Sequence, residues 1–114
     1  MSLQCTFRDA GSVTVVDFSG KITLGEGSAL LRKTIRGLLD EQRLKLLIDL
    51  GDVDYIDSAG IGEMVTAFTA VKNRGGELKL LNLTKKVKDL LQITKLYTVF
   101  DVHSSETEAL KSFG

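Results

Sequence analysis

The sequence has no proline, no tryptophan, one cysteine and one histidine among its 114 residues. A lone thiol, Cys5, excludes any internal disulfide framework, and with a single histidine it leaves too few soft ligands for a zinc site. Neither sign of charge is in excess. Fifteen lysines and arginines balance 15 aspartates and glutamates, so no general field draws the chain to DNA, RNA or an anionic membrane. No stretch approaches the roughly 18 unbroken apolar residues of a membrane span, and the start Met-Ser-Leu-Gln lacks the basic residues and apolar core of a secretion signal. These absences predict a cytoplasmic protein with no cofactor, no nucleic-acid partner and no membrane insertion. What is present is 43% hydrophobic residues, enough for a chain of this length to hide roughly two-thirds of its unfolded surface. One domain over residues 1–114 therefore needs no covalent or metal staple.

The apolar residues change period along the chain, and the order of those changes predicts an architecture. Leu3, Cys5 and Phe7 alternate with polar neighbours, Ala10-Gly11-Ser12 supplies a turn, and Val13 to Phe18 continue as a strand that Ser19-Gly20 is expected to break. A helix from Ser28 to Gln42 carries Leu30, Leu31, Ile35, Leu38 and Leu39 as its inner stripe. Leu44 to Leu50 reads as a strand covered on both faces, Gly51 to Asp57 as turn, and Ile61 to Val71 as a second helix closed by Asn73-Arg74-Gly75-Gly76. Leu78 to Leu83 form another strand, Thr84 caps a third helix bearing Val87, Leu90 and Leu91, and Val99 to Val102 make a last short strand. Ser104 or Ser105 then caps a terminal helix with Leu110 and Phe113 inward. Strands separated by such helices pair in parallel through right-handed crossovers. The expected fold is thus α/β: a mixed, mostly parallel sheet with an N-terminal hairpin at its edge and about four helices packed on it.

Chemistry concentrates in Val53 to Gly62, where a central strand gives way to the second helix. Ser58 is placed to cap that helix, and the amides of Gly60 and Ile61 at the positive end of its dipole favour an anion. A phosphate on Ser58 is locally welcome there, and the absent side chains of Gly60 and Gly62, with the small one of Ala59, open the segment to close approach by another backbone or a nucleotide. Competing chemistries fail on spacing. Neither Gly60-Ile61-Gly62 nor Gly25-Glu26-Gly27 meets the third glycine of a dinucleotide fingerprint, and Ile56 stands where a nucleophile elbow needs glycine. Asp49, Asp52, Asp54 and Asp57 suggest a calcium loop until Ile56 and Asp57 fall where an oxygen ligand and a glycine are required. Asp49 also follows a buried strand as in a phospho-aspartate receiver, but neither Arg8-Asp9 nor Asp101 supplies the acidic couplet and lysine that chemistry uses. His103 reads as a solvated loop residue, Lys85, Lys86 and Lys88 as a solvated helix face, and Cys5 as a half-buried strand residue. No catalytic constellation remains, so the chain is not expected to be an enzyme.

Asp57-Ser58-Ala59-Gly60-Ile61-Gly62 resembles the Asp-Ser-[Ser/Ala]-Gly-[Leu/Ile]-Gly signature of STAS domains of the anti-sigma-factor antagonist type. Phe18 to Thr23 resembles that family's early strand-Gly-x-[Leu/Ile]-Asp segment, with Thr23 in place of the aspartate, and Leu47-Ile48-Asp49-Leu50 resembles the strand leading to the signature. The resemblance implies that Ser58 is phosphorylated by an anti-sigma factor that is itself a serine kinase, that the unmodified domain captures this factor and frees the sigma factor, and that a phosphatase restores the active form. It implies a partner surface of Lys21, Ile22, Thr23, Asp54, Asp57, Ser58, Ala59, Gly60, Ile61 and Gly62. Phosphate beside Asp54, Asp57 and Glu63 then acts as the off switch by adding about −1.5 to −2 charges. The alternatives are a stressosome-type scaffold, a transporter-associated module of the same fold, and a receiver-like phosphotransfer protein using Asp49.

Overall fold

Val13, Val15 and Val16 are all buried, because β-branched side chains suit a pleated strand covered on both faces. The computed structural model describes residues 3–113. Strand β1 (Gln4–Ala10) turns at Gly11, which has φ +66°, into β2 (Val13–Ile22). There follow α1 (Glu26–Asp40), β3 (Lys45–Ile56), α2 (Ser58–Asn73), β4 (Glu77–Leu81), α3 (Lys85–Ile93), β5 (Asp101–His103) and α4 (Glu106–Ser112). The five strands lie in the order β1-β2-β3-β4-β5. β1 pairs antiparallel with β2 at the edge, and the other neighbours are parallel.

The two faces of the sheet are covered unequally. Val16, Phe18, Leu46, Ile48, Leu50, Leu78 and Leu80 point into a main core closed by Leu31 and Ile35 of α1, Met64 and Val71 of α2, and Val87 and Leu91 of α3. Their neighbours Val13, Val15, Leu47 and Leu81 point the other way, against Ala109 of α4. This explains why Leu46-Leu47-Ile48 is continuously apolar: its odd and even positions serve different cores.

Several boundaries differ by one or two residues from the sequence expectation, with β4 ending at Leu81 and β5 starting at Asp101, and two depart further. β2 does not end at Ser19-Gly20, and β3 does not give way to turn at Gly51. Both strands continue to Ile22 and Ile56, pairing Gly20 with Val53 and Ile22 with Ile56 across two register shifts, between Asp17 and Ser19 and between Gly20 and Lys21. The irregularities absorb the polar residues, and buried Val53 and Ile56 anchor the extension. Asp49, Asp52 and Asp54 therefore stand along an extended strand, a geometry that cannot wrap a calcium ion. His103 is a further correction. It ends β5 half-buried, with Nε2 3.2 Å from an Asp101 oxygen, rather than lying in a solvated loop.

The caps at Thr84 and Ser105 form as expected, each side chain accepting the amide three residues on, from Val87 and Glu108. Among the described residues no helix is long and apolar enough to cross a membrane.

Candidate functional site

The C-terminal ends of β2 and β3 lie side by side, and the chain leaves each into a helix N-terminus. This juxtaposition builds the site. Asp57, rather than Ser58, is the N-cap of α2: its Oδ1 accepts the Gly60 amide at 2.8 Å. Its Oδ2 accepts the Leu24 amide at 2.9 Å, and its own amide donates to the Ile22 carbonyl at 3.2 Å. One carboxylate thus ties the β2–α1 loop to the start of α2. The Leu24 amide, and after it the Gly60 amide, hold the Asp57 carboxyl below the ordinary aspartate range. The expectation that Ser58 caps the helix is corrected by one residue, because Asp57 takes the extended backbone of an N-cap and Ser58 is the first helical residue.

Freed from capping, Ser58 is exposed. Ala59 is half-buried beside it and Gly62 exposed, with open space where a side chain would be. Gly60 is different. A Cβ there would meet the Ile22 carbonyl oxygen at 2.2 Å and Ile56 Cγ1 at 2.7 Å, so its missing side chain serves packing within the chain and not approach by another molecule. Ile22, Gly60 and Ile61 are buried and shape the surface from beneath, while Lys21, Thr23, Asp54 and Asp57 are at least partly accessible.

The charges around Ser58 are largely paired. Lys21 Nζ lies 3.3 Å from Asp54 and 5.7 Å from the Tyr55 ring centroid, and Arg32 grips both oxygens of Glu63 at 3.1 Å. On the other side of Ser58 a groove of about 640 Å³ runs between α2 and α3, lined by Tyr55, Ile61, Leu90 and Ile93 with Lys86 and Asp89 at its polar edge. Two large apolar side chains of this groove stand unusually open, Ile93 at 77% and Tyr55 at 47%, and Leu24, in the β2–α1 loop whose amide Asp57 holds, is 80% exposed.

Asp49 belongs to another place. It lies seven residues before the end of β3, roughly 23 Å away by strand rise. Its carboxylate accepts the Gly51 amide at 2.9 Å and Asn82 Nδ2 at 3.4 Å, and it faces Asp17 across the β2–β3 register. Burial, and then the Asp49 charge, raise the Asp17 carboxyl above its ordinary value. Lys79, on the same face of the sheet, is engaged by Asp101 and the Ser112 carbonyl.

Residues 5–109 match the family model of the STAS domain. The chain belongs to the STAS domain family. It is 39% identical over 87 residues to the anti-sigma-B factor antagonist of Bacillus subtilis, covering 76% of this chain and 78% of that one. It is 33% identical over 112 residues to the anti-sigma-B factor antagonist of Listeria monocytogenes, covering 95% and 93%. A crystal structure of an anti-sigma factor antagonist from Mycobacterium paratuberculosis shares the fold, with a TM-score of 0.87 at 20% identity over 98% of this chain and 94% of that one. In this STAS domain the sequence reading gave no site role to four residues: Lys86 reads there as solvated helix face and Leu90 as the apolar side of α3, and Ile93 and Leu24 carry no signal of their own. The α3 residues lie about thirty positions from Ser58, and their spacing of four and three marks one helix stripe whose destination the sequence does not reveal.

Proposed function

We propose that this STAS domain is an anti-sigma-factor antagonist that captures a kinase-type anti-sigma factor through the surface around Ser58 and lets go when Ser58 is phosphorylated. The observation that carries this reading is an exposed serine at the first turn of α2, sharing a groove with two open apolar side chains, Tyr55 and Ile93. Apolar groups clustered beside a modifiable hydroxyl suit a protein partner, since an interface needs a dry centre. The names of the Bacillus and Listeria relatives support the class of partner.

In the modification step the Ser58 oxygen forms a bond to the γ-phosphorus of ATP as the bond to the bridging oxygen breaks. ADP leaves, and the hydroxyl proton passes to a base of the kinase. The new dianion sits at a helix N-terminus, so the domain tolerates it. The partner does not, because a bulky charge now interrupts the apolar contact. A loss of ~3 kcal/mol weakens binding roughly a hundredfold. The nearby acids contribute less repulsion than their number suggests, because Asp54 is paired with Lys21, Glu63 with Arg32, and Asp57 with backbone amides.

The test is substitution at Ser58. Ser58→Ala should bind the purified anti-sigma factor of the source cell with parental affinity and take up no phosphate from ATP in its presence. Ser58→Asp should bind more weakly while melting within a few degrees of the parent. Phosphate incorporation into Ser58→Ala at the parental rate would place the acceptor elsewhere.

A further inference from the structure

If Ser58 carries phosphate, the exposed dianion is hydrated and open to pairing with a nearby free cation, and the surroundings of the groove narrow the choice to one. The amides at the start of α2 are largely spoken for, since the Asp57 carboxylate engages those of Ala59 and Gly60. Lys21 is held by Asp54 at 3.3 Å. Lys85 is tied to Asp89 at 3.1 Å, which also quiets the one acid on the α3 side of the groove. Lys86 is exposed, lines the same groove as Ser58, and among the described residues makes no ion pair or hydrogen bond. It leads the stripe Lys86, Leu90, Ile93 that forms the α3 wall.

We propose that Lys86 is the receiving cation for phosphoserine 58, and that the resulting ion pair closes over the apolar groove between α2 and α3. The inference rests on Ser58 being the modified residue and adds how the mark is read. A lysine ammonium on a flexible four-carbon stem suits a dianion approached from a distance, because it needs no fixed geometry. Its reach across Tyr55, Ile61 and Leu90 puts two hydrated charges where the unmodified protein offers hydrocarbon. Phosphorylation then removes the apolar contact by covering it, in addition to any repulsion from the partner's own charges.

The experiment reads the phosphate directly and needs no partner. The full chain is made with phosphoserine built in at position 58, as parent, as Lys86→Gln and as Lys88→Gln, and the phosphate is titrated by ³¹P NMR at low salt. The groups facing it are Asp57, Tyr55, Lys86 and Asp89, with Lys21 and Asp54 behind Tyr55. A paired ammonium favours the dianion, so the parent phosphate should lose its second proton about 0.5 pH units lower than that of Lys86→Gln. Lys88→Gln, which removes the same charge from a part of α3 that lines a different cavity, should differ from the parent by much less. Identical titrations for parent and Lys86→Gln would overturn the assignment. Equal displacement by both substitutions would also overturn it, by showing a general field instead of a pair. Because phosphoserine is installed during synthesis, neither outcome depends on which enzyme modifies Ser58, and failure here leaves the function of Ser58 to be decided by its own substitutions.

Discussion

Gly60 and Gly62 stand two residues apart in one helical turn, yet an added methyl group would meet opposite surroundings. At Gly60 it collides with the Ile22 carbonyl, and at Gly62 it meets nothing within 4 Å. Gly60→Ala should therefore force β2 away from α2 and cost on the order of 2 kcal/mol or more in urea unfolding. Gly62→Ala should be neutral or stabilise by up to about 1 kcal/mol through helix propensity. A drop in partner affinity for Gly62→Ala with stability intact would mark Gly62 as contact surface. Asp57 offers a second residue-level test, through pH. Its carboxyl is held low by the Leu24 and Gly60 amides, so it contributes stability that is complete above the ordinary aspartate value near 4 and fades as pH falls through its lower folded value. Asp57→Ala should melt a few degrees below the parent at pH 7, and the two melting curves should converge below about pH 4. A constant gap down to pH 2 would contradict the tether.

Among the elements, α4 has the most to gain from a single side chain. It is seven residues long and is the helix on the second face of the sheet. Lys79, 9% exposed on β4, donates to Asp101 Oδ2 at 2.8 Å and to the Ser112 carbonyl at 3.2 Å, with its ammonium 5.1 Å from the Phe113 ring centroid. This cation holds the Asp101 carboxyl below its ordinary value. Lys79→Ala should cost about 1–2 kcal/mol by urea unfolding, because it removes two hydrogen bonds and a stem packed inside the second core, while partner binding at the Ser58 surface is unchanged. An accompanying loss of binding would mean that the two faces are coupled. Element identity was largely legible because its signals are local: Thr84 and Ser105 cap through their third-following amides, and Gly75, at φ +79°, closes α2. The extension of β2 and β3 was not legible. Gly51, Asp52 and Asp54 look like a turn from within, and what makes them strand is pairing with residues more than thirty positions away. The Asp57–Ser58 confusion is of the same kind, since either side chain can cap and only the approach of the Leu24 amide selects the carboxylate.

For the whole molecule, the division of labour follows the sheet. α1, α2 and α3 share the main core and one rim carries the β2–α1 loop, the α2 N-terminus and the α3 groove, so three separate stretches of sequence converge on Ser58. Each is anchored by buried residues, Ile22, Ile56 and Leu91, so a charge added at the surface has no packed element to displace. The signature around Ser58 was readable in the sequence as a segment, but its surface was not, because α3 joins it only through folding. This arrangement predicts a switch that changes recognition without changing the fold. The most direct test is to titrate the anti-sigma factor of the source cell, by calorimetry, into the unmodified chain and into the chain phosphorylated at Ser58. Affinity should fall at least roughly a hundredfold on phosphorylation. Equal affinity for the two forms would contradict the account.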